Sequence, residues 1–196
     1  ISYGRLESRS TEHASQLIQQ GAIGRVLQTV SLGPHRPNLA NRPEWFFQRD
    51  RYGGVLCDVA THHADYFLHF TGATDYEIVS AQIANWHYPQ HPELEDFGDV
   101  TLRGDTAEGG CSGYFRVDWF TPDGLPTWGD SRLMIMGTDG TIETRSNLDP
   151  AGRPGGDHLY LADRNETKHI DCSSHDLPSW SRLLEDIRTR TETALP

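Results

Sequence analysis

The sequence is short of lysine, cysteine and long apolar runs, and each shortage closes off a class of function. Of its 17 basic residues only Lys168 is a lysine, so a role that needs a titrating amine has a single candidate in the chain. Acidic residues outnumber basic ones 28 to 17, for a formal net charge of -11. That sign disfavours nucleic-acid partners, whose phosphate backbones are held by clustered cations. No apolar run approaches the ~20 residues that a bilayer-spanning helix needs. The opening ISYGRLESRS lacks the basic start and apolar stretch of a signal peptide, so no membrane partner is expected. The cysteines, Cys57, Cys111 and Cys172, are odd in number and form no C-x-x-C pair. They read as small core residues of a reduced, cytoplasmic protein.

What remains suffices for a core. The chain has 196 residues, of which 36% are hydrophobic, and fits one domain. Ser10 or Thr11 can cap a helix carrying Ala14, Leu17 and Ile18, with Gly21 as its stop. Residues 25–32 read as a strand, and the proline-rich stretch from Gly33 to Glu44 as an irregular loop ending in the aromatic anchor Trp45, Phe46 and Phe47. Residues 54–70 form the strongest helical pattern, between Gly53-Gly54 and Gly72. Period-two patterns follow at 76–86, 98–103, 113–120, 132–136, 140–145, 158–162 and 168–172. A last helix is predicted from Pro178, with Trp180, Leu183, Leu184 and Ile187 on one face. Helix, strand, helix, a run of strands, then helix predicts an α+β fold with a mostly antiparallel sheet and helices packed on one face. A doubly wound nucleotide fold would alternate strand and helix throughout.

On a wheel at about 100° per residue, Asp58, His62, Asp65 and His69 fall within an arc of roughly 60°. His63 falls among Val55, Val59, Tyr66 and Phe70 on the apolar side, as a core histidine. A carboxylate one turn before an imidazole can orient it and tune it as an acid or base near neutral pH. The same spacing also suits a solvated i,i+4 pair worth a few tenths of a kcal/mol. It would equally suit two ligands of a divalent ion completed by His35, His87, His91 or His158. No H-E-x-x-H or Cys/His spacing supports that metal reading, and no metal site is assigned. Ser112 lacks a G-x-S-x-G frame, Cys111 has no activating neighbour, and no glycine cluster sits between a strand and a helix as a dinucleotide fingerprint would.

Three runs, G-A-I-G-R-V (21–26), G-G-V-L-C-D-V-A-T-H-H-A-D (53–65) and G-T-D-G-T-I-E (137–143), resemble the second domain of the glucose-fructose oxidoreductase / inositol dehydrogenase (Gfo/Idh/MocA) family in order and spacing. The resemblance covers nearly all 196 residues. It implies a C-terminal α+β domain over 1–196, with a large open sheet that carries the substrate pocket and the oligomer contacts. It implies an NAD(P)-dependent oxidoreductase acting on a sugar, polyol or related compound. The family's functional Asp and His, four positions apart, map onto Asp58 and His62. His62 would shuttle the proton of the substrate hydroxyl while hydride moves to or from the nicotinamide, and Asp58 would bind a hydroxyl or orient His62. The family's N-terminal Rossmann domain and its E-K-P lysine have no counterpart in this chain, and Lys168 is no substitute. NAD or NADP would then be bound mainly by that N-terminal domain, the chain being read as a fragment that is inactive alone.

His35, Arg36, Trp45 and Trp128 are candidate substrate contacts, because aromatic faces cover the C–H surface of a sugar while Arg and His read its hydroxyls. Core or hinge packing is the other reading of Trp45 and Trp128, and the one their residue type favours. Strand 132–136, R-L-M-I-M, is apolar on both faces, with Leu133 and Ile135 on one side and Met134 and Met136 on the other. One side meets helices; the other calls for a partner, and a homodimer or homotetramer through the sheet is expected. Two other readings compete with the catalytic one: a non-enzymatic oligomerisation module, and a metal-dependent enzyme built on the Asp58/His62 stripe.

Overall fold

A computed structural model describes residues 4–193. Eight strands form one open sheet: β1 (Val26–Pro34), β2 (Asp75–Ala84), β3 (Phe97–Thr106), β4 (Gly109–Asp118), β5 (Arg132–Gly137), β6 (Thr141–Arg145), β7 (His158–Ala162) and β8 (Thr167–Asp171). Their spatial order is β2-β3-β4-β1-β5-β6-β7-β8. Every neighbouring pair is antiparallel except β1 and β4, which run parallel. The expected α+β architecture with a mostly antiparallel open sheet is therefore the observed one.

Helices α1 (Arg9–Gln19), α2 (Arg49–Tyr52), α3 (Val55–Asp58) and α4 (Thr61–Thr71) accompany it. The cap of α1 is Ser8, whose hydroxyl accepts from the Thr11 amide. Helix α4 crosses β1 and β4, and α1 crosses β6 and β7. Two clusters fill the space beneath. One gathers Phe46, Tyr52, Val55, Phe67, Phe115 and Trp119 against β3 and β4. The other gathers Ala14, Ile23, Tyr66, Leu133, Ile142 and Leu159 against β5–β7.

Two differences from the sequence reading matter. First, the pattern over 54–70 is two helices. Val59 takes φ -113, and the His62 amide reaches back to the Val59 carbonyl at 3.4 Å instead of to Asp58. Val55, Val59 and Ala60 all enter one core cluster, and that packing overrides the helical repeat at a β-branched residue of weaker helix propensity. Second, α5 (Ser179–Thr189) does not bury its apolar stripe on the sheet. Trp180, Leu184 and Ile187 are 57%, 67% and 68% exposed. The helix is held by Ser179 donating to the Leu6 carbonyl and by Arg182 near Glu12. Among the described residues, no helix is long and apolar enough to cross a membrane. All three thiols are free.

Candidate active site at the end of strands β1 and β4

Strands β1 and β4 run parallel, so their C-terminal ends lie side by side, and α3, α4 and the loop after β1 meet there. His63 locks the packing. It is 3% exposed, its Nδ1 lies 2.9 Å from Ser31 Oγ on β1, and burial pulls its pKa down to about 3. Its ring takes the room a side chain on Gly33 would need, since a Cβ there would stand 2.1 Å from Nε2. The core reading of His63 holds, and its neighbour His62 is left half-buried at the rim.

Glu95, unremarked in the sequence, sets where α3 begins. Its carboxylate accepts from the Val55 amide at 2.9 Å and from Arg49 Nε, and its own amide donates to Tyr52 Oη at 2.8 Å. Burial pushes the Tyr52 hydroxyl up to about 12. Gly54, at φ 92, leaves the space: a Cβ would lie 2.4 Å from Glu95 Oε2. The helix that presents Asp58 is thus capped by a buried carboxylate contributed from 40 residues downstream.

Asp58 is exposed on its outer side. The protein around the rest of it raises its carboxyl above the usual range, against the opposing pull of Arg42, His35 and His62. The His62 Nδ1 accepts from the Gly4 amide at 3.3 Å, which places the proton of a neutral ring on Nε2. The His35 Nδ1 lies 2.9 Å from the Gly33 carbonyl and must donate to it, which leaves Nε2 as a lone pair. Desolvation lowers the His35 pKa, and the nearby His62 lowers it further. A carboxylate, an N–H donor and an imidazole lone pair therefore lie close enough to act on one another's charge.

The other predicted contacts divide. Trp128, 45% exposed, stands beside Arg42, whose guanidinium lies over Phe46, Trp119 and Trp128 at 4.2, 5.1 and 5.6 Å. Arg36 braces the turn that precedes Trp128: its NH2 donates to the carbonyls of Pro122, Asp123 and Leu125, and its Nε lies 3.5 Å from an Asp123 carboxylate oxygen. Trp45 stands 49% exposed, edge-on to Phe46. Asp65 and His69 continue along α4, where His69 Nε2 meets Ser15 Oγ of α1 at 2.8 Å. Arg42 escaped the sequence reading; its place beside an aromatic run, in a chain with little positive charge, was the available signal. A neighbouring cleft of about 760 Å³, lined by Arg36, Asn38, Trp86, Tyr88, Trp119 and Asp123, shares the Trp119 wall. Among the described residues, no group of three or more His, Cys, Asp and Glu is placed to hold a metal ion.

Residues 11–143 match the GFO/IDH/MocA C-terminal domain. The chain superposes with a TM-score of 0.90 and 45% identity on a protein from Erwinia carotovora atroseptica SCRI1043 described as a candidate oxidoreductase, covering 97% of this chain and 56% of that one. A second protein so described, from Thermotoga maritima, superposes with a TM-score of 0.77 at 22% identity, over 94% of this chain and 51% of that one. Levoglucosan dehydrogenase, solved with NADH and levoglucosan, superposes with a TM-score of 0.64 at 21% identity, over 85% and 44% of the two chains. The chain thus spans about half the length of these solved relatives. Among curated proteins none matches it.

Proposed function

The chain belongs to the GFO/IDH/MocA family, and on that premise we propose that it is the substrate-binding and catalytic half of an NAD(P)-dependent oxidoreductase acting on a sugar, polyol or related compound. The observation that carries this reading is the family match over residues 11–143, with Asp58, His62 and His35 lying within electrostatic reach of one another. Asp58 and His62 together take and return the proton of the reacting hydroxyl. Asp58, held above its usual pKa, is the better proton acceptor for it. His62 meets the substrate oxygen as an Nε2 donor, and takes a proton itself when the Gly4 amide releases Nδ1.

A nicotinamide dinucleotide does not fit the described residues. The parallel pair β1 and β4 is connected through three helices and two further strands, not through one crossover helix opened by a glycine-rich turn. In this reading the cofactor is held by sequence outside these 196 residues, and this chain handles the substrate and its proton.

The open sheet face supports self-association as a homodimer or homotetramer. Val30, Leu32, Met134 and Met136 lie together on it, with Met134 43% exposed. The three free thiols support a reducing cytoplasm as the setting.

The test is His62→Ala in the complete enzyme, with turnover expected to fall about 10²–10⁴-fold. Full turnover by that variant would refute the assignment.

A further inference from the structure

Arg42 has more donors than the fold uses. Its Nε donates to the Pro37 carbonyl at 2.9 Å, and its guanidinium lies over three aromatic rings. A guanidinium carries five N–H groups. The four on its two terminal nitrogens make no hydrogen bond or ion pair among the described residues. The residue is half-buried, so part of it stays open to solvent. Arg42 is the strongest of the charges acting on Asp58, yet the two form no ion pair. Arg36, six positions earlier, donates from one terminal nitrogen to three backbone carbonyls and pairs with Asp123 through its Nε side.

A guanidinium caged by rings, anchored at Nε and open at both terminal nitrogens, matches one partner best: a planar oxyanion that accepts two parallel N–H bonds. In a chain of net charge -11, a positive group held rigidly beside the proposed proton-handling pair is an uncommon resource. We infer that Arg42 binds a carboxylate of the substrate, so that the substrate is a sugar acid or a related hydroxy acid and not a neutral polyol. This rests on the reading that Asp58 and His62 handle a substrate hydroxyl. Arg42 would hold the carboxylate while a hydroxyl of the same molecule reaches Asp58.

Calorimetric titration of the 196-residue chain at constant ionic strength tests it, with D-gluconate, D-galactonate and D-glucuronate against D-glucitol. At least one acid should bind tenfold or more tighter than D-glucitol. Arg42→Met should erase that preference. Arg42→Lys keeps the charge but loses the fork, and should weaken the acids several-fold; it serves also if the Met variant disturbs the aromatic packing, as near-ultraviolet circular dichroism would reveal. D-glucitol binding as tightly as the acids, an acid preference that survives both substitutions, or no acid binding at all would each overturn the inference. A panel that favours D-glucitol leaves the Asp58/His62 reading standing. A fully active His62→Ala enzyme removes that reading and leaves the Arg42 binding result intact.

Discussion

Acid should destabilise this fold through one histidine, by an amount the structure allows to be worked out. His63 is buried, bonded to Ser31, and held neutral with a pKa of about 3. In the unfolded chain the same ring titrates near 6.5. Between these values the unfolded state carries the extra proton, so stability that is complete above about pH 6.5 drains away as pH falls toward 3. From pH 7.5 to pH 5 the loss assigned to His63 is about 2 kcal/mol, reaching about 4–5 kcal/mol as pH approaches 3. His63→Gln keeps a neutral side chain able to bond Ser31 and removes the titration. It lowers stability by a fixed amount, so the slopes of the two pH profiles carry the answer. Urea unfolding at half-unit steps of pH should show the wild-type curve falling about 2 kcal/mol more than the variant's over that window, a midpoint difference of about 1 M at a typical slope. Parallel curves would mean that His63 is charged in the fold, and the argument from burial would fail.

Three further outcomes follow from the packing and the open face. Gly33→Ala should cost about 1–3 kcal/mol, because its Cβ would stand 2.1 Å from His63 Nε2 in a closed core; an unchanged melting temperature would show that the ring can move aside. Glu95→Gln should cost about 1–3 kcal/mol by weakening the bonds to Arg49 and the Val55 amide, and should lower turnover of the complete enzyme through the placement of Asp58; wild-type stability and turnover would remove Glu95 from the site's support. Light scattering at micromolar concentration should report a dimer or tetramer that Met134→Glu dissociates, and a monomeric wild-type chain would eliminate the open face as the contact.

The order of elements was legible because each has a local signature. Seven period-two segments after the central helical pattern became β2 to β8, the last two paired as a hairpin in which the Asp163 carboxylate accepts from the Asn165 and Glu166 amides. What escaped was decided by contacts distant in sequence. The break at Val59 follows from burying Val55, Val59 and Ala60 together against strands that lie some 40 to 60 residues on. The stripe of α5 looked like a core face by periodicity alone, but α1 and α4 already cover the sheet.

The candidate site divides in the same way, and the division bears on what the site selects. Asp58 and His62 are neighbours in sequence, so a wheel could pair them even though the helix between them is broken. Arg42 becomes visible only when the chain after β1 folds Phe46, Trp119 and Trp128, residues from two distant segments, around one guanidinium. Arg36 looked like the better ligand from its place beside His35, yet the Pro122, Asp123 and Leu125 carbonyls claim it. Two arginines six positions apart thus sit differently, one bracing a turn and one caged by aromatic rings. The local pair suits handling a hydroxyl proton, which is the chemistry proposed for the whole site. The cage that assembles from afar suits selecting the molecule that bears the hydroxyl.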